Sequence, residues 1–191
     1  MGCFSSLSMR SLKGNLQEKI VFLKLKSGDS DAFAFFYDKY VTNIYRFVLI
    51  RVSSKQVAED LTQDTFLKTW QHIVDKKNVK SFQAFIFRVA RNTVIDYYRQ
   101  SNRQELPLEY VPEIVDMSDN IERDLDRSID KDKLLQKIRQ LKPIYQEVLL
   151  LRYLEDLSID DIARVIQKDK NNVRVIIHRA LNKLKQIADD K

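Results

Sequence analysis

The stretch FIFRVARNTVIDYYRQ, residues 85–100, carries arginine, asparagine and tyrosine on one side of a predicted helix and apolar residues on the other. Four polar residues recur at intervals of four, seven and four and so share one helical face: Arg88, Asn92, Arg99 and Arg103. Arginine can bind phosphates, asparagine can pair with one base edge, and an aromatic ring can stack on an unpaired base. With Arg91 and Tyr98 beside it, this face predicts a nucleic-acid interface, with core packing as the alternative use of the tyrosines.

The C-terminal residues have the pattern of a helix-turn-helix. Ser158 begins a capping-box sequence for a short helix over 159–166, and Asp169 can cap a longer helix over 170–187. The apolar residues expected to pack together are Val148, Ile162, Val165, Val173, Ile177, Leu181 and Leu184.

The opposite side of the longer helix is polar and basic. Its residues are Lys170, Asn171, Arg174, Val175, His178 and Asn182. Lysine, arginine and asparagine reach phosphates and base edges in a major groove. Periodicity alone fits two interpretations equally, a helix that reads DNA and an ordinary helical hairpin with a solvated outer face.

Two carboxylates, Asp60 and Asp64, lie one turn apart on another predicted helix, with Gln63 beside them. Carboxylates at this spacing repel each other, and a basic partner groove would turn that cost into attraction. An exposed acidic helix and a metal or acid/base pair are the alternatives. The chain has only two histidines, His72 and His178, and neither stands in an ExxH or HxxxH pattern, which argues against metal.

Composition and periodicity predict an all-α fold. Only 3 Gly and 3 Pro occur in 191 residues, which favours helices joined by short loops. The predicted helices are 16–26, 32–52, 55–74, 82–102 with Ser81 as N-cap, and 144–155, besides the two of the helix-turn-helix. The residues predicted to face inward are Phe33, Phe36, Tyr40, Ile44, Phe47, Val57, Leu61, Trp70, Val74, Phe82, Phe85, Ile86, Val89 and Thr93.

Charge divides the chain into two basic parts and an acidic one. Residues 1–103 hold 17 Lys/Arg against 9 Asp/Glu, residues 104–132 hold 3 against 10, and residues 133–191 hold 13 against 8. We therefore predict an N-terminal tail (1–15), a helical domain (16–102), an acidic flexible linker (103–130) and a helix-turn-helix domain (131–191). The basic domains favour a polyanionic partner such as nucleic acid.

The single cysteine, the missing signal-peptide pattern and the missing membrane span predict a cytoplasmic protein without stable membrane insertion.

Residues 141–185 resemble the second DNA-binding domain of bacterial sigma factors, on matches that include Pro143, Glu147, Arg152 and Ser158. The segments DAFAFFYDKY (31–40), AEDLTQDTFLKTW (58–70) and FQAFIFRVARNTVIDYYRQ (82–100) resemble the family's first helical domain, in the same order. The small two-domain form is that of the extracytoplasmic-function (ECF) subgroup. Two departures stand out, Asp156 where the family has glycine and Ile176 where it often has arginine.

The resemblance implies a sigma-2-type helical bundle, a sigma-4-type helix-turn-helix and three sets of binding residues. Core RNA polymerase would contact Asp60, Leu61, Gln63, Asp64 and Phe66. The −10 promoter element would contact Lys76, Lys77, Asn78, Lys80, Arg88, Arg91, Asn92, Asp96, Tyr98, Arg99 and Arg103. The −35 element would contact Lys170, Asn171, Asn172, Arg174, Val175, His178 and Arg179.

The expected function is that of a sigma factor, which binds core RNA polymerase, recognises promoter DNA, melts it and starts transcription. It would catalyse no covalent step, need no cofactor or metal, and be controlled by an anti-sigma factor. A helix-turn-helix regulator that acts on duplex DNA without polymerase is the alternative. An enzyme that uses Asp60 and Asp64 is disfavoured, because the sequence has no phosphate-binding glycine loop and no metal-ligand set.

Overall fold

A computed structural model describes residue 18 and residues 20–52, 54–75, 79–101 and 128–189, and all regular elements among them are helices. They are α1 (20–26), α2 (Ser30–Val52), α3 (Lys55–Val74), α4 (Phe82–Ser101), α5 (Ser128–Arg139), α6 (Pro143–Leu149), α7 (Ile159–Ile166) and α8 (Lys170–Asp189). The predicted all-α class is confirmed. The predicted tail and most of the predicted linker lie outside the described residues. Helix α5, which we did not predict, begins within the last residues of that linker.

Helices α4, α7 and α8 begin at short polar side chains that cap them. The Oγ of Ser81 accepts from the backbone N–H of Ala84 at 3.3 Å, and the Oγ of Ser158 accepts from that of Asp161 at 3.1 Å. The backbone N–H of Asn172 donates to Asp169 at 2.9 Å. Caps of this kind stabilise a helix by about 1 kcal/mol each. The three N-caps predicted from the sequence are therefore formed.

Helices α2, α3 and α4 pack against one another around aromatic side chains. The rings of Phe36 and Phe82 are stacked with centroids 4.2 Å apart, and Phe33 lies 4.8 Å from Trp70. The predicted inward positions of α2 and α4 are buried or half-buried.

The predicted inward face of α3 was partly wrong. Val74 is 49% exposed, and the buried residues are Ala58, Thr62, Thr65, Phe66, Thr69 and Ile73. Three of these are threonines whose hydroxyls donate to the backbone carbonyl four residues earlier, at 2.6–2.7 Å. Because each hydroxyl is satisfied within its own helix, threonine can be buried here at little cost.

The C-terminal half packs α8 against α5, α6 and α7. Val148, Ile162, Val165 and Val173 are fully buried, as the apolar stripe predicts. Leu181 is 38% exposed, contrary to our prediction, and Ala180 is buried instead. Successive steps of four residues rotate about 40° around a helix, so a step of three is needed to return to the core side.

A π-helical turn, Leu150–Leu154, continues α6, and Asp156 lies two residues after its end. Asp156 has φ +52°, and the backbone N–H of Leu157 donates to the carbonyl of Leu151 at 2.9 Å. A left-handed residue of this kind commonly closes a helix, and glycine is the usual residue there. Asp156 thus occupies the left-handed position that explains the family's glycine.

The two halves of the chain are in contact. Helix α4 packs against α7, and the buried apolar side chains of both halves belong to one continuous cluster. Polar contacts cross the same boundary: the amide of Asn43 donates to Oε2 of Glu155 at 2.6 Å, and the amide of Gln83 donates to the backbone carbonyl of Glu155 at 2.9 Å.

Candidate nucleic-acid interface

The predicted face of α4 is largely accessible. Asn92, Asp96 and Arg99 are exposed, and Lys80 is exposed just before the helix. The guanidinium of Arg99 lies 3.7 Å from the carboxylate of Asp96. A solvent-exposed pair of this kind is worth less than ~1 kcal/mol, so Arg99 can exchange Asp96 for a phosphate at little cost.

Two other α4 residues have restricted positions. The half-buried guanidinium of Arg88 lies over the ring of Phe85, 5.2 Å from its centroid. The hydroxyl of Tyr98 donates to the backbone carbonyl of Arg51 at 2.6 Å, while its ring stays exposed. Tyr98 can therefore offer a ring of fixed orientation at the surface.

Arg91 does not lie on the open face that the sequence predicted. Its Nε lies 2.8 Å from Oε1 of Glu147 on α6, and Nη1 of Arg51 lies 3.5 Å from the same oxygen. Glu147 is only 2% exposed. Burial lowers the pKa of Arg51, and the nearby carboxylate of Glu147 opposes that shift. In this arrangement Arg91 joins the two halves of the chain, because Glu147 is a buried charge that needs a counter-charge.

Four residues of the predicted −10 set, Lys76, Lys77, Asn78 and Arg103, lie outside the described residues.

The predicted polymerase-binding residues of α3 do not share one environment. Asp60 and Gln63 are exposed, Leu61 is half-buried, and Asp64 is half-buried and paired with Lys68 at 2.7 Å. Phe66 is a correction: it is only 3% exposed, because its ring packs against Phe33 and Tyr37.

The neighbouring Leu67, which sequence reasoning missed, is 56% exposed. It follows Gln63 by four residues and Asp64 by three, so helical spacing places it on the same face. This spacing was the signal that could have identified it. We call Asp60, Gln63, Asp64 and Leu67 the α3 patch.

The predicted −35 residues are all exposed on the first turns of α8. They are Lys170, Asn171, Asn172, Arg174, Val175, His178 and Arg179. The turn before them includes Gln167 at φ +54°, which ends α7 and redirects the chain into α8. Ile176 is half-buried against the core, so the position where the resemblance expects arginine does not face outward.

The described part of the chain contains neither a metal-binding cluster nor a membrane span. Its His, Cys, Asp and Glu residues form no group of three or more that could hold a metal ion. None of its helices is both long and apolar enough to cross a membrane.

Comparison with known proteins matches both halves of the chain to one family. Sigma-70 region 2 matches residues 36–104, and Sigma-70 region 4 matches residues 131–184. The RNA polymerase sigma-E factor of Streptomyces coelicolor is 30% identical over 132 residues, which cover 68% of this chain and 70% of that protein. The chain belongs to the sigma-70 family.

Further comparisons place this sigma factor in the ECF group and support its fold. The ECF RNA polymerase sigma factor BldN of Streptomyces coelicolor is 31% identical over 169 residues, or 87% of this chain, and the match spans 64% of BldN. The structure of the sigma factor RpoE in complex with the anti-sigma factor NepR, from Bartonella quintana, matches with a TM-score of 0.69. The sequence identity is 21%, and the match covers 83% of this chain and 98% of that one.

Region 2 of this sigma factor thus contains the exposed α4 face and the α3 patch, and region 4 contains the exposed face of α8.

Proposed function

We propose that this sigma factor binds core RNA polymerase through the α3 patch, reads the −35 promoter element with α8 and opens the −10 element with α4. One observation carries the proposal: an exposed polar and basic face on α8 and an exposed mixed patch on α3 occur in the same chain. A regulator that acts on DNA alone would need only the first. The second has the composition of a surface for a large protein partner.

The α3 patch combines charge with an apolar anchor. Asp60 and Asp64 repel each other when the helix is alone, and Lys68 compensates only Asp64. A basic groove on the polymerase would neutralise both carboxylates, and Leu67 would lose its exposed apolar surface on docking. By resemblance, the partner is a coiled coil in the largest polymerase subunits.

The α4 face suits the opened −10 element. Arg99 and Lys80 can hold the phosphate backbone, Asn92 can pair with one base edge, and Tyr98 can stack on a base. Taking a base out of the stack costs a few kcal/mol, which such contacts can offset.

A charge reversal tests polymerase binding. We expect Asp60→Lys combined with Asp64→Lys to weaken binding to core polymerase at least ten-fold in a titration of labelled protein, a loss of about 1.4 kcal/mol. The matched control is Asp31→Lys combined with Asp38→Lys, which changes the net charge equally on exposed positions of α2. Equal losses in the two variants would count against a specific role of the α3 patch.

A second experiment tests strand opening. We expect Asn92→Ala to lower the permanganate reactivity of unpaired thymines in the −10 element, while the holoenzyme still binds the closed promoter. Normal reactivity would exclude Asn92 from base capture.

The alternative is a regulator that acts on duplex DNA by itself. Promoter binding measured with and without core polymerase distinguishes it from a sigma factor. The sigma-factor proposal expects promoter-selective binding only in the presence of core polymerase. Selective binding by the purified chain alone would favour the alternative.

The proposal includes an inhibitory protein partner. The resemblance implies an anti-sigma factor, and RpoE, which shares the fold, is bound to the anti-sigma factor NepR in its structure. Such a partner would bind the free chain, prevent its association with core polymerase and block transcription in the cytoplasm. The chain itself would contribute binding energy and no covalent step, without a cofactor.

A further inference from the structure

The polar residues at the start of α8 differ in how free they are to contact DNA. Nζ of Lys170 lies 2.8 Å from Oδ2 of Asp160 on α7. Both the backbone N–H and the side-chain amide of Asn172 donate to Asp169, which caps the helix. The donated backbone N–H holds the pKa of Asp169 below its usual range, so the cap stays ionised. Lys170 and Asn172 therefore make contacts within the helix-turn-helix that contact with DNA would have to replace or accommodate.

A second pair of contacts orients the groups that can reach base edges. Nη1 of Arg174 donates to Oδ1 of Asn171 at 2.9 Å, and the ring nitrogen of His178 lies 3.4 Å from the amide of Asn182. These pairs lie on either side of Val175 along the exposed face. Arginine in such a position is suited to a bidentate contact with guanine.

Val175 lies at the centre of this face. At about 100° per residue, it points opposite to the mean direction of Val173, Ile177 and Ala180, which are buried in the core. It is 45% exposed, whereas the adjacent Ile176 is half-buried. Val175 thus lies near the midline of the α8 face that would enter a major groove.

Local folding does not favour valine at this position. On an exposed helical surface valine has a lower helix propensity than lysine, arginine or glutamine, and its apolar surface is left in water. In a major groove, however, a small apolar side chain can contact the 5-methyl group of thymine, which no other base carries. We propose that Val175 determines part of the −35 specificity by contacting a thymine methyl group, beside the bases read by Arg174 and His178. This inference rests on the proposed function.

The test uses the holoenzyme and a base that differs from thymine only by the methyl group. A random promoter library first gives the preferred −35 element, and each thymine of either strand is then replaced by deoxyuridine. We expect one replacement to weaken binding by the wild-type holoenzyme about four-fold, which corresponds to about 0.8 kcal/mol for a methyl group. The same replacement should leave binding by the Val175→Ala holoenzyme unchanged.

The control is Leu181→Ala, which also shortens an exposed apolar side chain of α8 and should keep the full deoxyuridine penalty. Thermal unfolding of both variants checks that the helix-turn-helix is intact. The inference is overturned if deoxyuridine weakens binding equally for the wild-type and Val175→Ala holoenzymes. It is also overturned if no deoxyuridine replacement weakens binding by the wild-type holoenzyme. If the library yields no −35 preference at all, the proposed function itself fails, so the two failures are distinguishable.

Discussion

Nε of Arg91 on α4 lies 2.8 Å from Oε1 of Glu147 on α6, and this pair connects the two sigma regions of the chain. Glu147 is buried, and Arg51 approaches the same oxygen from α2. With Nε of Arg91 held by Glu147, only the other N–H groups of this half-buried guanidinium could contact a DNA phosphate. Use of the whole Arg91 guanidinium on the −10 element would therefore compete with its contact to Glu147.

Loss of the Glu147 charge should destabilise the folded chain, in which the two regions are in contact. Glu147→Gln leaves two half-buried arginines without their buried counter-charge, and we expect the free energy of unfolding in urea to fall by about 3 kcal/mol. Asp96→Asn, which removes the partner of an exposed arginine, should change it by less than about 1 kcal/mol. Equal effects of the two substitutions would mean that the Arg91–Glu147 pair contributes no more than a surface pair.

The same substitution should also separate the two regions. In a chain with Cys3 replaced by serine, spin labels on cysteines at Gln71 and Lys183 would report the distance between α3 and α8, since both positions are exposed. We expect one short, narrow distance distribution for the parent chain and a longer, broader one with Glu147→Gln. An unchanged distribution would show that other contacts hold the regions together.

The contact at Glu155 should be sensitive to pH. Burial raises the pKa of Glu155 and so does the charge of Asp156, whereas the amide of Asn43 and the charge of Arg46 oppose the rise. A carboxyl group whose pKa is raised by folding favours the folded state when protonated. Its stabilising effect is complete at pH values below the pKa of the unfolded state, about 4.3. The effect is lost as pH rises through the raised pKa of the folded state.

We therefore expect Glu155 to make a contribution to the free energy of unfolding that increases from pH 7 towards pH 5. The measurement compares wild type with Glu155→Gln in urea at several pH values, because the glutamine variant lacks this titration. Parallel pH profiles for the two proteins would contradict the raised pKa.

The left-handed backbone at Asp156 predicts a stabilising substitution. A non-glycine residue at φ +52° carries a steric cost that glycine avoids, and Asp156→Gly should raise the free energy of unfolding by up to about 1 kcal/mol. Asp156→Val should lower it, because a β-branched residue tolerates this conformation least. Chemical denaturation of the three proteins checks the order glycine, aspartate, valine.

Substitutions of the neighbouring residues Phe66 and Leu67 should have different effects, the first on stability and the second on polymerase binding. Phe66→Ala removes a buried ring, and we expect a loss of about 3–5 kcal/mol in the free energy of unfolding. Leu67→Ala should leave stability within about 0.5 kcal/mol, because the side chain is exposed, but should weaken binding to core polymerase. Undiminished polymerase affinity of Leu67→Ala would remove Leu67 from the proposed contact surface.

The sequence by itself determined the local features of this protein. The positions of α2, α3, α4, α7 and α8, the caps at Ser81, Ser158 and Asp169, and the exposed face of α8 all follow from chemistry within a few residues. Helical periodicity and capping depend on near neighbours, so they can be read without knowledge of the fold.

Only the tertiary structure decided which helical faces meet and which charges are buried. The partner of Arg91 lies 56 positions later in the chain, so a local pattern could not reveal that its guanidinium turns away from the predicted DNA face. Phe66 is buried whereas Leu67 is exposed, and three threonines of α3 are buried. Both results likewise depend on the helices that pack against α3. Periodicity specifies the angles between side chains on a helix, but the neighbouring helices specify which of those angles points inward.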